Sequence, residues 1–412
     1  MNILMISHYA GGPRYGMEFR SFYMGREWAK MGHRVLIVGA TYSHLRIEQP
    51  CAGSETIEGV EYLWLPCNQY EGNGVGRVVS MFRFVGEVYR KIDSLIDFAP
   101  DIVIASSVYT FDIYPCRLIA KRAQKKHAKK VHLVYEVHDL WPLSPMVIGG
   151  YKPYHPFIWA LQRGENYAYK HVDKVVSMLD KSFPHMQQHG LTADRFCCVP
   201  NGYLKEEWDH IDDISIPDTH RQLFEKLHNE GKIIIGFAGG HTASTAMDIL
   251  IKAAGKLRQH TDIAYVLVGK GPQKDELIAL AKQLDLDNVF FMPPVEKSQI
   301  PQIIRNFDIC YEGGIHSILH QYGTSANKMI DYMLSAKPII KSVDEPGSEV
   351  ERLGCGIQVE AENVKQVSKA ILTITSMSAA ERTAMGEKGR VYATEKLSYE
   401  TLSQDFIKYI IS

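Results

Sequence analysis

What most restricts the possible folds of this chain is an alternation that runs for roughly two hundred residues and then starts again. NILMIS (2–7), RVLIVG (34–39), VEYLWL (60–65), DIVIA (101–105), VHLVYEV (131–137) and KVVS (174–177) are short, apolar and bounded by turn residues, and helix-like stretches separate them. Runs of this kind fit parallel strands covered on both faces, and their alternation with helices predicts a doubly wound α/β sheet. The first helix is expected from about Tyr15 to Met31, stopped by Gly32. The pattern resumes at KIIIGF (232–237) and continues through AYVLVG (264–269), 288–292, 307–311 and KPIIK (337–341). Met247, Leu250, Ile251, Ala254 and Leu257 recur at helical spacing between the first two of these. Residues 205–231 are polar, acidic and weakly periodic, and read as a linker followed by a first helix. Two α/β domains result, with no internal repeat and no low-complexity tract.

Charge and cysteine usage exclude several classes. The net charge of −1 gives no field to attract nucleic acid. The seven cysteines are odd in number, irregularly spaced and without a C-x-x-C, which speaks against a disulfide framework and a cysteine zinc site and for a reducing compartment. MNILMISHYAGG lacks a basic n-region, and no run approaches the roughly 20 apolar residues of a membrane span. A cytoplasmic protein is expected, or one peripheral on the inner face of the membrane. Residues 121–130 (KRAQKKHAKK) hold six basic residues and no acid. They read either as a solvated helix face or as a patch for anionic lipid head groups, worth up to about 1 kcal/mol per basic residue.

Five segments carry chemistry. The first strand ends in Gly11, Gly12 and Arg14, a glycine-rich turn at the carboxyl edge where open α/β sheets bind ligands. It is not a dinucleotide site: the turn is not G-x-G-x-x-G, and the second strand ends VGATYS without a ribose-binding acid. His138-Asp139-Leu140-Trp141-Pro142 follows another strand, and a His-Asp pair there can take a proton from a hydroxyl or orient a sugar. Gly239-Gly240-His241 repeats the strand–glycine–helix arrangement in the second half and reads as an N–H cradle for a diphosphate. Gly269-Lys270-Gly271-Pro272 adds a lysine between glycines. Finally, GTSANKMIDYMLSAKPII (323–340) opens a helix with a hydroxyl-rich turn and sets Asn327 and Asp331 four apart on one edge, where a carboxylate can accept both hydroxyls of a ribose.

The last segment resembles the S-P-N-K-x-x-E-Y-M-A-x-G-K-P-V-I signature of family-four retaining glycosyltransferases, in particular the branch that builds bacterial O-antigen and capsule sugars. Ile6-Ser7-His8 with Gly11-Gly12, Gly32-His33-Arg34-Val35, His138 to Pro142, Val199-Pro200-Asn201-Gly202 and Gly269 to Pro272 are similar to further landmarks of that family, in the same order. The resemblance implies a GT-B fold: two facing Rossmann-like domains with the active site in the cleft between them. It implies an acceptor-binding domain over 1–204, a nucleotide-sugar-binding domain over 205–385, and a last helix, about 386–410 within 386–412, crossing back to the first domain. The implied activity is metal-independent transfer of a sugar from a nucleotide-diphosphate sugar to a glycan or lipid-linked acceptor, with retention, in cell-surface polysaccharide (lipopolysaccharide) synthesis. No cofactor is implied, and no D-x-D motif is present to hold a metal nucleotide. The implied catalytic residues are His138 and Asp139. The donor set is Gly239, Gly240, His241, Lys270, Ser325, Asn327, Lys328 and Asp331, and the acceptor set Gly11, Gly12, Arg14 and Glu18. Three positions depart from the family: Asp331 stands for its second Glu, Gly323 for its first, and 240–246 lacks a cation after the glycine turn, leaving that charge to Lys270 or Lys328. A nucleotide-sugar epimerase and a non-catalytic nucleotide-sugar-binding homologue are the alternative readings.

Overall fold

The apolar runs form the strands of two separate sheets in the computed structural model, which describes residues 1–16 and 19–412. The chain divides into one unit of Met1–Gly202 with Tyr399–Ser412 and another of Tyr203–Ser398.

The first unit carries β1 (Asn2–Ile6), β2 (Arg34–Ala40), β3 (Gly53–Ile57), β4 (Val60–Leu65), β5 (Ile102–Ala105), β6 (His132–Val137), β7 (Lys174–Ser177) and β8 (Phe196–Cys198). Their order is β3-β4-β2-β1-β5-β6-β7-β8, parallel throughout except for β3 against β4. The order reverses at β1, whose neighbours are β2 and β5. The switch point therefore lies at the carboxyl ends of β1 and β5, the kind of position at which open α/β sheets bind ligands. The first helix is described over Phe19–Lys30, later than the expected Tyr15, because Pro13–Tyr15 forms a 3-10 turn instead.

The second unit carries β9 (Ile233–Ala238), β10 (Ile263–Val268), β11 (Val289–Met292), β12 (Ile309–Gly313), β13 (Ile339–Ser342) and β14 (Gly356–Val359), all parallel, in the order β11-β10-β9-β12-β13-β14. Every residue of β10 is buried, as the both-faces-covered reading requires. Helix Met247–Lys256 lays Met247, Leu250, Ile251 and Ala254 onto the sheet, and burying each of the three larger side chains contributes about 1.5–3 kcal/mol. Here the switch lies at β9, between β10 and β12.

The chain end differs from the single helix expected at 386–410. It holds two, Ala379–Lys396 and Tyr399–Ile411, and only the second belongs to the first unit. Helix Ala379–Lys396 stays with the second unit because its glycines allow close packing: a Cβ on Gly386 would stand 2.1 Å from the carbonyl oxygen of Ala336. Among the described residues no helix is long and apolar enough to cross a membrane.

Candidate active site

In the first unit a buried polar chain stands behind His138. Arg20, on the first helix, donates from Nε to Glu136 Oε1 at 3.1 Å and from its terminal nitrogens to the carbonyls of Pro200 and Val199 at 2.5 and 2.8 Å. The Ser106 hydroxyl donates to Glu136 Oε2 at 2.6 Å. Its one proton is thereby used, so the 3.1 Å contact with His138 is Nε2–H donating to Ser106 Oγ, which fixes Nε2 as protonated. Burial would raise the Glu136 carboxyl, but Arg20 and the hydrogen bonds from His138 and Ser106 outweigh it and hold it well below the usual carboxylate range. Glu136 thus stays anionic 3.5 Å from His138 Nε2. Asp139, the other expected catalytic residue, is exposed.

The residues expected on the acceptor side form no hydrogen bond or ion pair with this group among the described residues. Gly11 and Gly12 are buried, and the Gly11 carbonyl accepts from Tyr62 Oη at 2.9 Å. Arg14 turns out to solvent, 3.5 Å from Glu48, and makes no ion pair with the His138 group. Glu18 lies outside the described residues. Arg77, not singled out by its sequence context, donates from Nε to Tyr9 Oη at 3.1 Å and lies 5.8 Å from the ring centre of Trp141.

In the second unit two glycine turns are zipped together. His241 N–H donates to Lys270 O at 2.9 Å, and Gly239 N–H to Val268 O at 3.0 Å. The approach demands glycine: a Cβ on Gly269 would stand 1.9 Å from Gly239 O, and one on Gly271 2.2 Å from His241 O. The pairing limits the N–H groups that the expected cradle can offer. The N–H groups of Gly239 and His241 are spent within the turns, and that of Thr242 faces Thr245 Oγ1 at 3.4 Å, leaving Gly240 as the N–H not so engaged. Neither ring nitrogen of His241 has a hydrogen-bond partner among the described residues. Its imidazole is buried beside Phe237 and Phe291, and burial, with Lys274, pushes it down to about 4, so it is neutral. Lys270 is exposed and forms no ion pair among the described residues.

Helix Asn327–Leu334 brings the remaining donor-side residues to the same sheet. Lys328 Nζ lies 5.0 Å over the Phe237 ring and 3.4 Å from Glu312 Oε2 at the end of β12, so part of its charge is already used. Asn327 is exposed and Ser325 half-buried. Asp331 is half-buried, and burial pushes its carboxyl up to about 7, with Lys297 pulling down and Glu207 pushing up. The turn before the helix is anchored from beneath. Lys341 and Glu345, both buried, pair at 2.5 Å, and Thr324 donates to Glu345 Oε2 at 2.6 Å. Tyr332 anchors the other side by accepting the Ala238 N–H at 3.2 Å.

Each sheet thus carries a glycine turn at its switch point, with the His138–Ser106–Glu136–Arg20 chain in the first unit and the exposed Lys270 in the second. Residues 16–202 match the glycosyl transferase 4-like domain, and residues 218–392 match glycosyl transferases group 1. The chain is a GT-B glycosyltransferase. Solved structures share its fold at low identity. Alr3699/HepE from Anabaena, solved with UDP, is 14% identical with a TM-score of 0.69 over 100% of both chains. Sucrose-phosphate synthase from Thermosynechococcus elongatus is 13% identical with a TM-score of 0.68 over 99% of this chain and 97% of that one. WaaG, a glycosyltransferase involved in lipopolysaccharide biosynthesis, is 14% identical with a TM-score of 0.65 over 100% and 99%. No curated protein sequence matches the chain.

In this glycosyltransferase three residues of the two polar clusters escaped sequence reading. Glu136 and Glu312 each carried a signal, a lone acid in an otherwise apolar strand. Arg20 carried none, since its partner lies 116 residues away. The basic stretch 121–130 is partly neutralised: Lys126 pairs with Asp97 and Lys129 with Asp101, while Lys121, Arg122, Lys125 and Lys130 stay exposed.

Proposed function

We propose that the enzyme transfers a sugar from a nucleoside-diphosphate donor to a hydroxyl of a glycan or lipid-linked acceptor, with retention of anomeric configuration, in the synthesis of a cell-surface polysaccharide. One observation carries this reading: the paired turns that follow β9 and β10 bond the Lys270 carbonyl to the N–H of His241, the residue after Gly240, and Lys270 itself is exposed with no ion pair among the described residues. A leaving diphosphate needs both, a fixed positive charge and an oriented donor, and such preorganised groups stabilise developing charge without reorganisation. Lys270 takes this role in preference to Lys328, whose charge Glu312 shares. Asp331 accepts the ribose hydroxyls. The first unit takes the acceptor, with His138 at the reacting sugar and Glu136 stabilising its charged form. HepE was solved with UDP and with UDP-glucose, which makes uridine nucleotides the first donors to try.

No metal is needed at the diphosphate on this reading. A thermal-shift screen of uridine, guanosine and other nucleoside diphosphates tests donor binding, since a ligand at 100 times its Kd stabilises by about 2.7 kcal/mol. No shift with any of them overturns the proposal. Transfer in excess EDTA is expected to be nearly unchanged, whereas loss restored by Mg²⁺ or Mn²⁺ removes the metal-independent reading. Contact with an anionic membrane through Lys121, Arg122, Lys125 and Lys130 belongs to the same proposal. Changing these four to Glu weakens binding to phosphatidylglycerol vesicles at low salt, and equal binding leaves them a solvated face.

A further inference from the structure

Glu165 is 1% exposed and has no lysine or arginine paired with it among the described residues. A carboxylate so buried costs several kcal/mol unless an opposing charge meets it. What meets it is a pair of imidazoles. Helix Pro156–His171 presents Glu165 to helix Phe183–Gln188, and His185 of that helix places Nε2 3.1 Å from Glu165 Oε1. His189, four residues on, brings its ring to 4.7 Å from that of His185. One carboxylate oxygen and one nitrogen of each imidazole lie within 4.8 Å of one another.

The surrounding groups hold this set in place. Gln162 Nε2 donates to Glu165 Oε2 at 2.6 Å and Tyr169 Oη to Glu165 Oε1 at 3.1 Å. His189 Nδ1 lies 3.0 Å from Gln162 Nε2 and 3.1 Å from Asn166 Oδ1, so it accepts from the first when unprotonated and donates to the second when protonated. Outer-sphere hydrogen bonds that orient ligands in this way are a regular part of metal sites.

We propose that Glu165, His185 and His189 bind a Zn²⁺-class ion that pins helix Phe183–Gln188 to helix Pro156–His171. Two imidazoles and a carboxylate suit a borderline ion; Mg²⁺ and Ca²⁺ ask for oxygen ligands. Tetrahedral zinc with bonds of about 2.0–2.1 Å separates its ligands by about 3.3 Å, close to the present Glu165–His185 spacing, so His189 has the main movement to make. His189 is half-buried and gives the ion its way in. A helix of six residues is too short to hold itself, so an ion there would act as a staple. Neither the cysteines nor an acidic motif indicates this site. Its only trace in the sequence is H-x-x-x-H at 185–189.

The test is calorimetric titration of Zn²⁺ into the full chain after EDTA treatment and dialysis. The wild type is expected to bind one equivalent and to gain thermal stability. His189→Ala, which removes a half-exposed side chain, should fold normally and weaken binding about ten-fold or more. Glu165→Gln should weaken it similarly. Cys51→Ser, which alters the exposed thiol, should leave it unchanged. Absence of stoichiometric binding, or equal affinity in His189→Ala, overturns the proposal and leaves Glu165–His185 an ion pair. This outcome is independent of nucleotide binding, which the donor screen reads separately.

Discussion

Asp331 has a charge that depends on pH within the working range of an enzyme. Its carboxyl stands near 7, against an ordinary 3.8, because burial disfavours the anion. A carboxylate accepts both hydrogen bonds of a ribose diol, each worth roughly 1.5–3 kcal/mol, whereas the protonated group loses its charge. Affinity for uridine diphosphate is therefore expected to fall as pH drops from 8 to 6 in the wild type. In Asp331→Asn it should be flat with pH and about ten-fold weaker at pH 8. Asp331→Glu should keep most of the binding. Stability runs the other way. A native pKa above the unfolded one means the folded state holds the proton longer, so this group lowers stability as pH rises from about 4 to 7, and the loss is complete above 7. Asp331→Asn should hence raise Tm relative to wild type at pH 8 and less so at pH 5. A pH-independent affinity in the wild type would remove Asp331 from the ribose site. His138 answers to a different measurement. With Glu136 anionic beside it, His138→Ala should lower kcat more than it raises the donor KM, and a change in KM alone would move it to the binding shell.

Among the elements, the paired glycine turns are the sharpest case of a site built by packing. Gly271→Ala puts a Cβ 2.2 Å from His241 O, and the turns must separate to admit it. Overpacking of this kind typically costs 1–3 kcal/mol. The variant should stay folded, because the clash is confined to two loops, yet lose nucleotide affinity as Lys270 and Gly240 move apart. Titration of uridine diphosphate against a protein of unchanged far-UV circular dichroism checks this, and unchanged affinity would detach the turns from the donor site. The same scale explains what could be read from the sequence. The strands buried on both faces declared themselves as apolar runs. β3 (GSETI), β8 (FCC) and β14 (GIQV) did not, since they lie at the ends of their sheets, are half-exposed and need no apolar run. The glycine turns and the Asn327–Leu334 helix were legible because turn chemistry and helical spacing are local. Whether a turn's N–H groups point outward is not local: the bond from the His241 N–H to Lys270 O cannot be read from the residues beside it. Arg20–Glu136 and Lys328–Glu312 likewise exist only once distant segments meet.

At the level of the whole molecule, the chain passes from the first unit to the second at Gly202–Tyr203 and returns at Ser398–Tyr399. The two crossings run side by side, with Tyr203 N–H donating to Leu397 O at 3.0 Å. The returning helix, Tyr399–Ile411, is an integral part of the first unit's core. Trp28, fully buried, donates from Nε1 to Ser403 O at 3.1 Å, and its ring centre is 5.1 Å from that of Phe406, which is buried too. The first unit thus cannot complete itself until the last thirteen helical residues have been made, after the whole of the second. Phe406→Ala should cost about 3–5 kcal/mol, as large-to-small changes at such positions do. That cost should fall on the first unit, to which Phe406 and its partner Trp28 both belong. Native-state hydrogen exchange read by fragment separates the possibilities. Loss of protection confined to β1, β2 and the Phe19–Lys30 helix, with β9 to β13 unchanged, is the expected result, and equal loss in both would make the two units one cooperative block.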